Sequence, residues 1–241
     1  MGIIINKERE KISTMFNNIA GSYDLLNHLL SFGIDKRWRK KLVGRVLLKN
    51  PKTVLDIACG TGDLTLALFK KGIDVTGLDI AEKMMDVAKD KFARHISKTK
   101  EKTQPEPSFV CASAESIPFK DSTFDAVTIG FGIRNFENRG ESLLEISRVL
   151  KRGGTLAILE FATPKNHLWK WLFNLYFMKI LPFIGKIISK DSHAYNYLPQ
   201  SVSTFPQYEE FASELEHFGF KDIDYIPLTG GVAILYIAQK S

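Results

Sequence analysis

At 241 residues the chain has material for one sizeable core, or at most two small domains. Hydrophobic and charged fractions of 44% and 25% are those of a soluble globular protein, and two cysteines, Cys59 and Cys111, exclude a disulfide framework and fit a reducing cytosol. A net charge of +6 and a pI near 9.1 are compatible with an anionic membrane surface, nucleic acid or an acidic ligand, and select none of them.

The opening MGIIINKERE has too short an apolar run for a signal peptide, and Gly2 lacks the Ser or Thr that myristoylation requires. The first fifty residues then carry helical patterning, in ISTMFNNIAGSYDLLNHLLSFG and KRWRKKLVGRVL. From there strand-like and helix-like segments alternate, the pattern of a doubly wound parallel α/β sheet. Strands are expected at Thr53–Ala58, Asp74–Ile80, Ser108–Ala112, Phe124–Phe131 and Thr155–Phe161, with helices at Asp63–Lys71, Ala81–Ile96 and Glu141–Leu150. The polar stretch Lys98–Pro107, KTKEKTQPEP, reads as an exposed loop. After the fifth strand comes NHLWKWLFNLYFMKILPFIGKIISKD, aromatic, helical and broken at Pro182. A helix over Pro206–Phe218 and strands at Phe220–Pro227 and Val232–Gln239 close the chain. The short LTGG join makes those two strands antiparallel neighbours, because a parallel pair needs a crossover. The expected sheet has seven strands, mostly parallel, with one reversed near its end. Residues 1–50 are expected to form a helical lid on a single domain, 51–241, carrying a helical insertion at 165–200.

The stretch VLDIACGTGDLTLAL, Val54 to Leu68, carries the first chemical signal. Strand, glycine loop and helix present free backbone N–H groups and a positive helix end to a ligand. A P-loop would need Lys followed by Ser or Thr where Asp63 and Leu64 stand. A dinucleotide turn would want a third small residue and would set Asp63 against a pyrophosphate. S-adenosylmethionine, which has a sulfonium and no phosphate, tolerates Asp56 and Asp63. Asp79, ending the next strand, is placed to hold both ribose hydroxyls, and Ser113-Ala114-Glu115 to meet an adenine edge. The expected donor site is therefore Asp56, Gly60, Thr61, Gly62, Asp79, Ile80, Ser113, Ala114 and Gly130. The turn resembles the D-x-A-x-G-x-G motif of class I methyltransferases, which have a Rossmann-like fold.

Four further stretches narrow the family. YDLLNHLLSFGIDKRW (Tyr23–Trp38), IGFGIRN (Ile129–Asn135), RVLKRGGTLAILEFATP (Arg148–Pro164) and DSHAYNYLPQSVSTFP closely resemble the patterns of the quinone C-methyltransferases. That family methylates the ring of demethylmenaquinol or of the corresponding ubiquinone precursor. The chain departs from its pattern at Leu26 for Met, Asp35 for His, Arg152 for Pro and Ala162 for Ser. Position 35 is read as structural, since Asp cannot take over the chemistry of a His.

The resemblance implies a prenylated quinol as substrate and S-adenosylmethionine as donor. Ring methylation needs the quinol rather than the quinone, and favours its phenolate. The protein must orient the reactants, stabilise an oxyanion and accept a ring proton. Arg134 and Asn135, at the carboxyl end of the fourth strand, are the candidates for holding the phenolate, against an ion pair of Arg134 with Glu137 or another nearby acid. Tyr23 is the third catalytic candidate, with Asn27 one helical turn on, and Tyr195 and Tyr197 could line the quinol pocket. His28 is read as a surface or structural residue and Cys59 as a small turn filler. Metal-ligand spacing is lacking, so no metal is expected.

Leu168–Ile188 is too interrupted by Lys170, Lys179, Lys186 and Pro182 to span a bilayer. It is read as lid core, or as a prenyl channel and interfacial helix; the latter would bring peripheral attachment to the inner face of the cytoplasmic membrane. No nucleic-acid module is found, and a homodimer is left open. Two other functions compete: a small-molecule or nucleic-acid methyltransferase of the same fold, and a non-catalytic scaffold of a quinone-synthesis complex.

Overall fold

The computed structural model describes residues 8–31, 33–99, 106–176 and 193–241. Two helices lead, α1 (Arg9–Leu30) and α2 (Ile34–Leu47). Alternation follows: β1 (Thr53–Ile57), α3 (Asp63–Phe69), β2 (Asp74–Asp79), α4 (Glu82–Thr99), β3 (Ser108–Cys111), β4 (Phe124–Gly130), α5 (Arg139–Val149) and β5 (Leu150–Phe161). Helices α6 (His167–Leu175), α7 (His193–Thr204) and α8 (Glu209–His217) precede the strands β6 (Phe220–Leu228) and β7 (Ala233–Lys240). Of the expected aromatic segment, residues 177–188 lie outside the described residues, as do residues 100–105 of the expected polar loop.

The seven strands form one sheet of order β3-β2-β1-β4-β5-β7-β6. Strands β1 to β5 pair in parallel, and β7 runs antiparallel to both β5 and β6. The expected architecture, mostly parallel with one reversed strand, is the one observed. Helices cover both faces, so the central strands are buried on both sides and read as apolar runs rather than alternating ones. One core layer joins Ile57, Val127, Ile129 and Ile158 to Ile146 of α5 and Phe211 of α8; the other joins Val54, Ala157 and Leu235 to Leu64 and Leu68 of α3.

Helix α2 belongs to that second layer, with Leu42 and Val46 fully buried. Helix α1 lies instead along the carboxyl edge of the sheet. Its Ser13 hydroxyl donates to the Ile80 carbonyl at 2.9 Å, and Asn17 Oδ1 accepts from Lys83 N at 2.9 Å, satisfying an otherwise orphan donor of α4's first turn.

Several elements end earlier than their apolar runs, for a conformational reason. β1 stops at Ile57 and β4 at Gly130 because the next residues, Ala58 and Phe131, take left-handed backbone angles with φ of 52° and 61°. Such angles are uncommon outside glycine and concentrate where backbone is bent for function. β5 begins five residues before the expected Thr155: Leu150 pairs with Phe124 directly at the end of α5, and a register shift absorbs the intervening residues.

Asp56 ties this edge together from beneath. Its carboxylate is 1% exposed and accepts from Thr65 Oγ of α3 at 2.6 Å and Thr128 Oγ of β4 at 2.7 Å. Burial raises its pKa from 3.8 to about 6, against the lowering effect of the two hydroxyls. The folded carboxyl thus holds its proton more tightly than the unfolded one. The buried anion costs stability in full above about pH 6 and progressively less down to pH 3.8, where both states are protonated. A rise of about two units corresponds to about 3 kcal/mol. Asp56→Asn should therefore gain stability relative to the parent by up to that amount on going from pH 4 to pH 7.5, as read by urea unfolding. A pH-independent difference would show the carboxyl to be ordinary.

Candidate active site

The glycine turn between β1 and α3 is built on positive φ angles, 54° at Gly60 and 77° at Gly62. At Gly62 a Cβ would also stand 2.9 Å from the Ala88 Cβ of α4, so the turn sits flush against that helix only without a side chain. Gly60 N donates to Asp79 Oδ2 at 2.7 Å and Ala81 N to Oδ1 at 2.8 Å. The Asp79 carboxylate therefore joins the turn after β1 to the start of α4. Burial raises its pKa, and the backbone donors of Ala81 and Gly60 oppose the rise.

Two cavities meet at this turn. The smaller, about 70 Å³, is walled by Asp79, Ile80, Ser113 and Ala114, with Asn135 and Phe136 opposite. The larger, about 310 Å³, takes in Asp56, Thr61, Arg134 and Tyr197. Gly60, Gly130 and Tyr23 line both, at the junction. Of the residues expected around the donor, Gly62 alone lines neither; it sets the approach of α4. Burial raises the Tyr23 pKa, with a hydrogen bond from Asn27 acting against it, so the phenol carries its proton.

Arg134 and Asn135 lie in a single 3₁₀ turn, Ile133–Asn135, directly after β4, and both are buried. Arg134 pairs with Glu160 of β5, not with Glu137: Nη1 lies 2.6 Å from Glu160 Oε1 and 2.5 Å from the Phe131 carbonyl oxygen. Its Nε donates to Ser201 Oγ of α7 at 3.3 Å. The neighbouring Asn135 Oδ1 accepts from the Tyr197 hydroxyl at 3.1 Å, and burial pushes the Tyr197 pKa up to about 12. The structure thus brings Tyr23, Arg134, Asn135 and Tyr197 to one place. The Tyr195 side chain falls outside the described residues.

A charged chain that the sequence reading missed links α1 and α2 to the glycine turn. Thr61 Oγ donates to Asp24 Oδ1 at 2.5 Å, and Lys91 of α4 contacts Asp24 at 2.7 Å and Asp63 at 2.5 Å. Arg39 of α2 bonds both Asp63, at 2.9 Å, and Asp35. His28 bridges the same pair, Nδ1 to Asp35 at 2.9 Å and Nε2 to Asp63 at 3.3 Å. Burial alone would raise both carboxyl pKa values; Arg39, with Lys91 at Asp63 and the Ser31 hydroxyl at Asp35, holds them below the usual range. Among the described residues His28, Asp35 and Asp63 form the one group with metal-ligand geometry, and the Arg39 guanidinium and Lys91 ammonium already supply its positive charge. Helical spacing could have paired Asp35 with Arg39; contacts with Asp63 and Lys91 span 24 residues or more and leave no local trace.

Away from the turn the large cavity becomes apolar. Trp38, Phe131 and Phe161 pack as a cluster with centroids 4.5 to 6.2 Å apart, and Trp169, Leu172 and Phe173 of α6 extend it. Trp169 lies flat on the β6–β7 turn: a Cβ at Gly230 would sit 2.4 Å from its ring.

S-adenosylmethionine fits this set of groups. Each Asp79 oxygen accepts one backbone bond and keeps a lone pair for a hydroxyl, and Asp63, which a phosphate would oppose, is turned into the ion network. The fold has well-matched solved counterparts. A methyltransferase from Thermotoga maritima superposes with a TM-score of 0.63 over 95% of this chain and 99% of that one, at 16% identity. The [4+2]-cyclase SpnF matches at 0.62 over 100% and 99%, at 16% identity, so the fold alone does not fix the reaction. Sequence relatives are much nearer. A ubiquinone/menaquinone biosynthesis C-methyltransferase of Geotalea uraniireducens is 42% identical across 98% of this chain and 99% of its own. A demethylmenaquinone methyltransferase of Bacteroides fragilis is 40% identical across 97% and 94%. The profile of the ubiE/COQ5 methyltransferase family matches residues 4–240, and the chain belongs to that family.

Proposed function

We propose that this enzyme methylates a ring carbon of a prenylated quinol with S-adenosylmethionine, taking demethylmenaquinol in the first place and the ubiquinone precursor as the alternative ring. One observation carries the substrate: the cavity runs from the glycine turn, past a buried arginine, into an aromatic and aliphatic extension. A polar ring head and an apolar tail match those two ends. The names of the Geotalea and Bacteroides relatives support the same reading.

When bound, the donor supplies an electrophilic methyl group on a sulfonium. Asp79 holds its ribose hydroxyls, Ser113 and Ala114 flank its base, and the turn at Gly60 and Thr61 seats the remainder. Arg134 stabilises the ring oxygen as it becomes anionic, and Asn135 keeps its amide in register by accepting from Tyr197. Tyr23, protonated and at the junction of the cavities, donates a hydrogen bond to a quinol oxygen. Helix α1, which carries Tyr23 and Phe16, acts as a lid and keeps water from the reacting atoms.

The exposed face of α6 bears Leu168, Trp171 and Leu172 beside Lys170, and the same helix walls the apolar end of the cavity. No described helix is long and apolar enough to cross a membrane. The enzyme therefore meets its substrate from the surface of the bilayer, α6 inserted at the headgroup boundary.

Loss of a single oxyanion donor costs roughly 10²–10³ in kcat. Arg134→Ala should lose that much on the demethylated naphthoquinol, assayed in parallel with the benzoquinol, while titration calorimetry shows donor affinity within about twofold of the parent. Parental turnover by this variant would remove Arg134 from the chemistry. Vesicles of anionic lipid should bind the protein in a salt-sensitive way, and Trp171→Ser should weaken that binding about tenfold, the worth of one buried aromatic side chain. Absence of binding with or without quinol would refute the surface attachment.

A further inference from the structure

Glu160 is an acid inside an otherwise apolar strand, LAILEF, and is 1% exposed. A buried carboxylate persists only when it is paired and hydrogen-bonded. Its bonds converge on one neighbour. Oε1 accepts from Arg134 Nη1 at 2.6 Å and from its own strand at Phe161 N, 2.9 Å; Oε2 accepts from Arg134 N at 3.3 Å. Glu160 thus grips the arginine at both its guanidinium and its backbone. It lines neither cavity, so it does not reach a ring placed in them.

The other hydrogen bonds of the guanidinium go to the Phe131 carbonyl at Nη1 and to Ser201 Oγ at Nε, and its Cζ lies over the Phe161 ring, 5.6 Å from the centroid. Ser201 is itself fully buried and fixed by donating to the Leu198 carbonyl at 2.9 Å. Three acceptors therefore hold two of the three guanidinium nitrogens, and among the described residues no hydrogen bond engages Nη2. With Nε and Nη1 both held, the planar guanidinium is fixed in orientation, and the N–H groups of Nη2 point in a set direction.

We propose that Glu160 is the positioning residue of the site: with Ser201 it fixes Arg134 at Nη1 and Nε, so that Nη2 is left, pre-aimed, as the donor to the quinol oxygen. This rests on the reading of Arg134 as the oxyanion donor. The ion pair also leaves the empty site close to neutral, so an uncharged quinol enters without facing a bare buried cation. Preorganised donors of this kind need no reorganisation as charge develops.

The test is a double-mutant cycle on the full-length protein with Glu160→Gln, Arg134→Ala and the pair. Two quantities are read: kcat on demethylmenaquinol, and the Kd of 1-naphthol, a tail-less phenol, measured with S-adenosylhomocysteine present. Glu160→Gln should lower kcat and weaken 1-naphthol roughly tenfold each, and should change neither once Arg134 is Ala. Donor affinity should stay at the parental value throughout. Additive losses in the two backgrounds, or parental values for Glu160→Gln, overturn the proposal. A parent that binds 1-naphthol with the coupled pattern but turns over no quinol upholds the positioning and refutes the substrate instead. Should Glu160→Gln fail to fold, Ser201→Ala runs the same cycle, with an expected loss of about threefold that disappears in Arg134→Ala. Additivity there overturns the proposal equally.

Discussion

A buried carboxylate at the end of β2 governs this molecule's catalytic edge. Asp79 accepts one backbone N–H from the turn after β1 and one from the start of α4, so neither can shift without the other. The turn carries three successive departures from ordinary backbone, at Ala58, Gly60 and Gly62. Glycine takes such angles freely, but at Ala58 left-handed geometry persists only where its surroundings over-determine it. Here Asp79 holds the turn from one side, Asp56 braces β1 against α3 and β4 from below, and the missing side chain at Gly62 lets α4 approach at Ala88. The cleft proposed to take the donor is thus lined by backbone that these contacts hold in shape.

The acceptor side uses a different device. On the proposed reading, donor contacts come mainly from main chain and carboxylate, whereas the ring end depends on a single cation in an apolar setting. A lone guanidinium there would carry a large desolvation penalty. Glu160 offsets that penalty, and α7 contributes two polar contacts to the same 3₁₀ turn, Ser201 to Arg134 and Tyr197 to Asn135. The segment between β5 and α8 thereby supports the candidate site, although it lies outside the repeating strand–helix pattern.

What could be read from the residues follows the range of the forces involved. The mostly parallel sheet with one reversed strand near its end, and the glycine turn, rest on local periodicity and turn chemistry, and both were legible; the strand order was not read from the residues. Strand ends at Ala58 and Phe131 were not, because nothing in an alanine or a phenylalanine announces a positive φ. Arg134 was legible from its place after β4. Its partner was sought at Glu137 or another nearby acid, while Glu160 sat unnamed inside an apolar strand; an acid at such a position is the signal that was passed over. The bridges from Arg39 and Lys91 to Asp63 belong to tertiary structure alone, as does the burial of α2, whose basic residues disguise a helix that packs its Leu42 and Val46 into the core.

The large cavity is closed at its two ends by forces of different kinds. Near the turn, Asp24, Lys91, Asp63, Arg39 and Asp35 bind α1 and α2 through half-buried charges. At the far end, the Trp169 indole rests on bare backbone at Gly230, an attachment made of dispersion and water exclusion. Ionic strength therefore loosens the first closure and barely touches the second, whereas cooling weakens the apolar one. On the proposed function, the donor end and the tail end of the site would therefore answer to separate environmental variables.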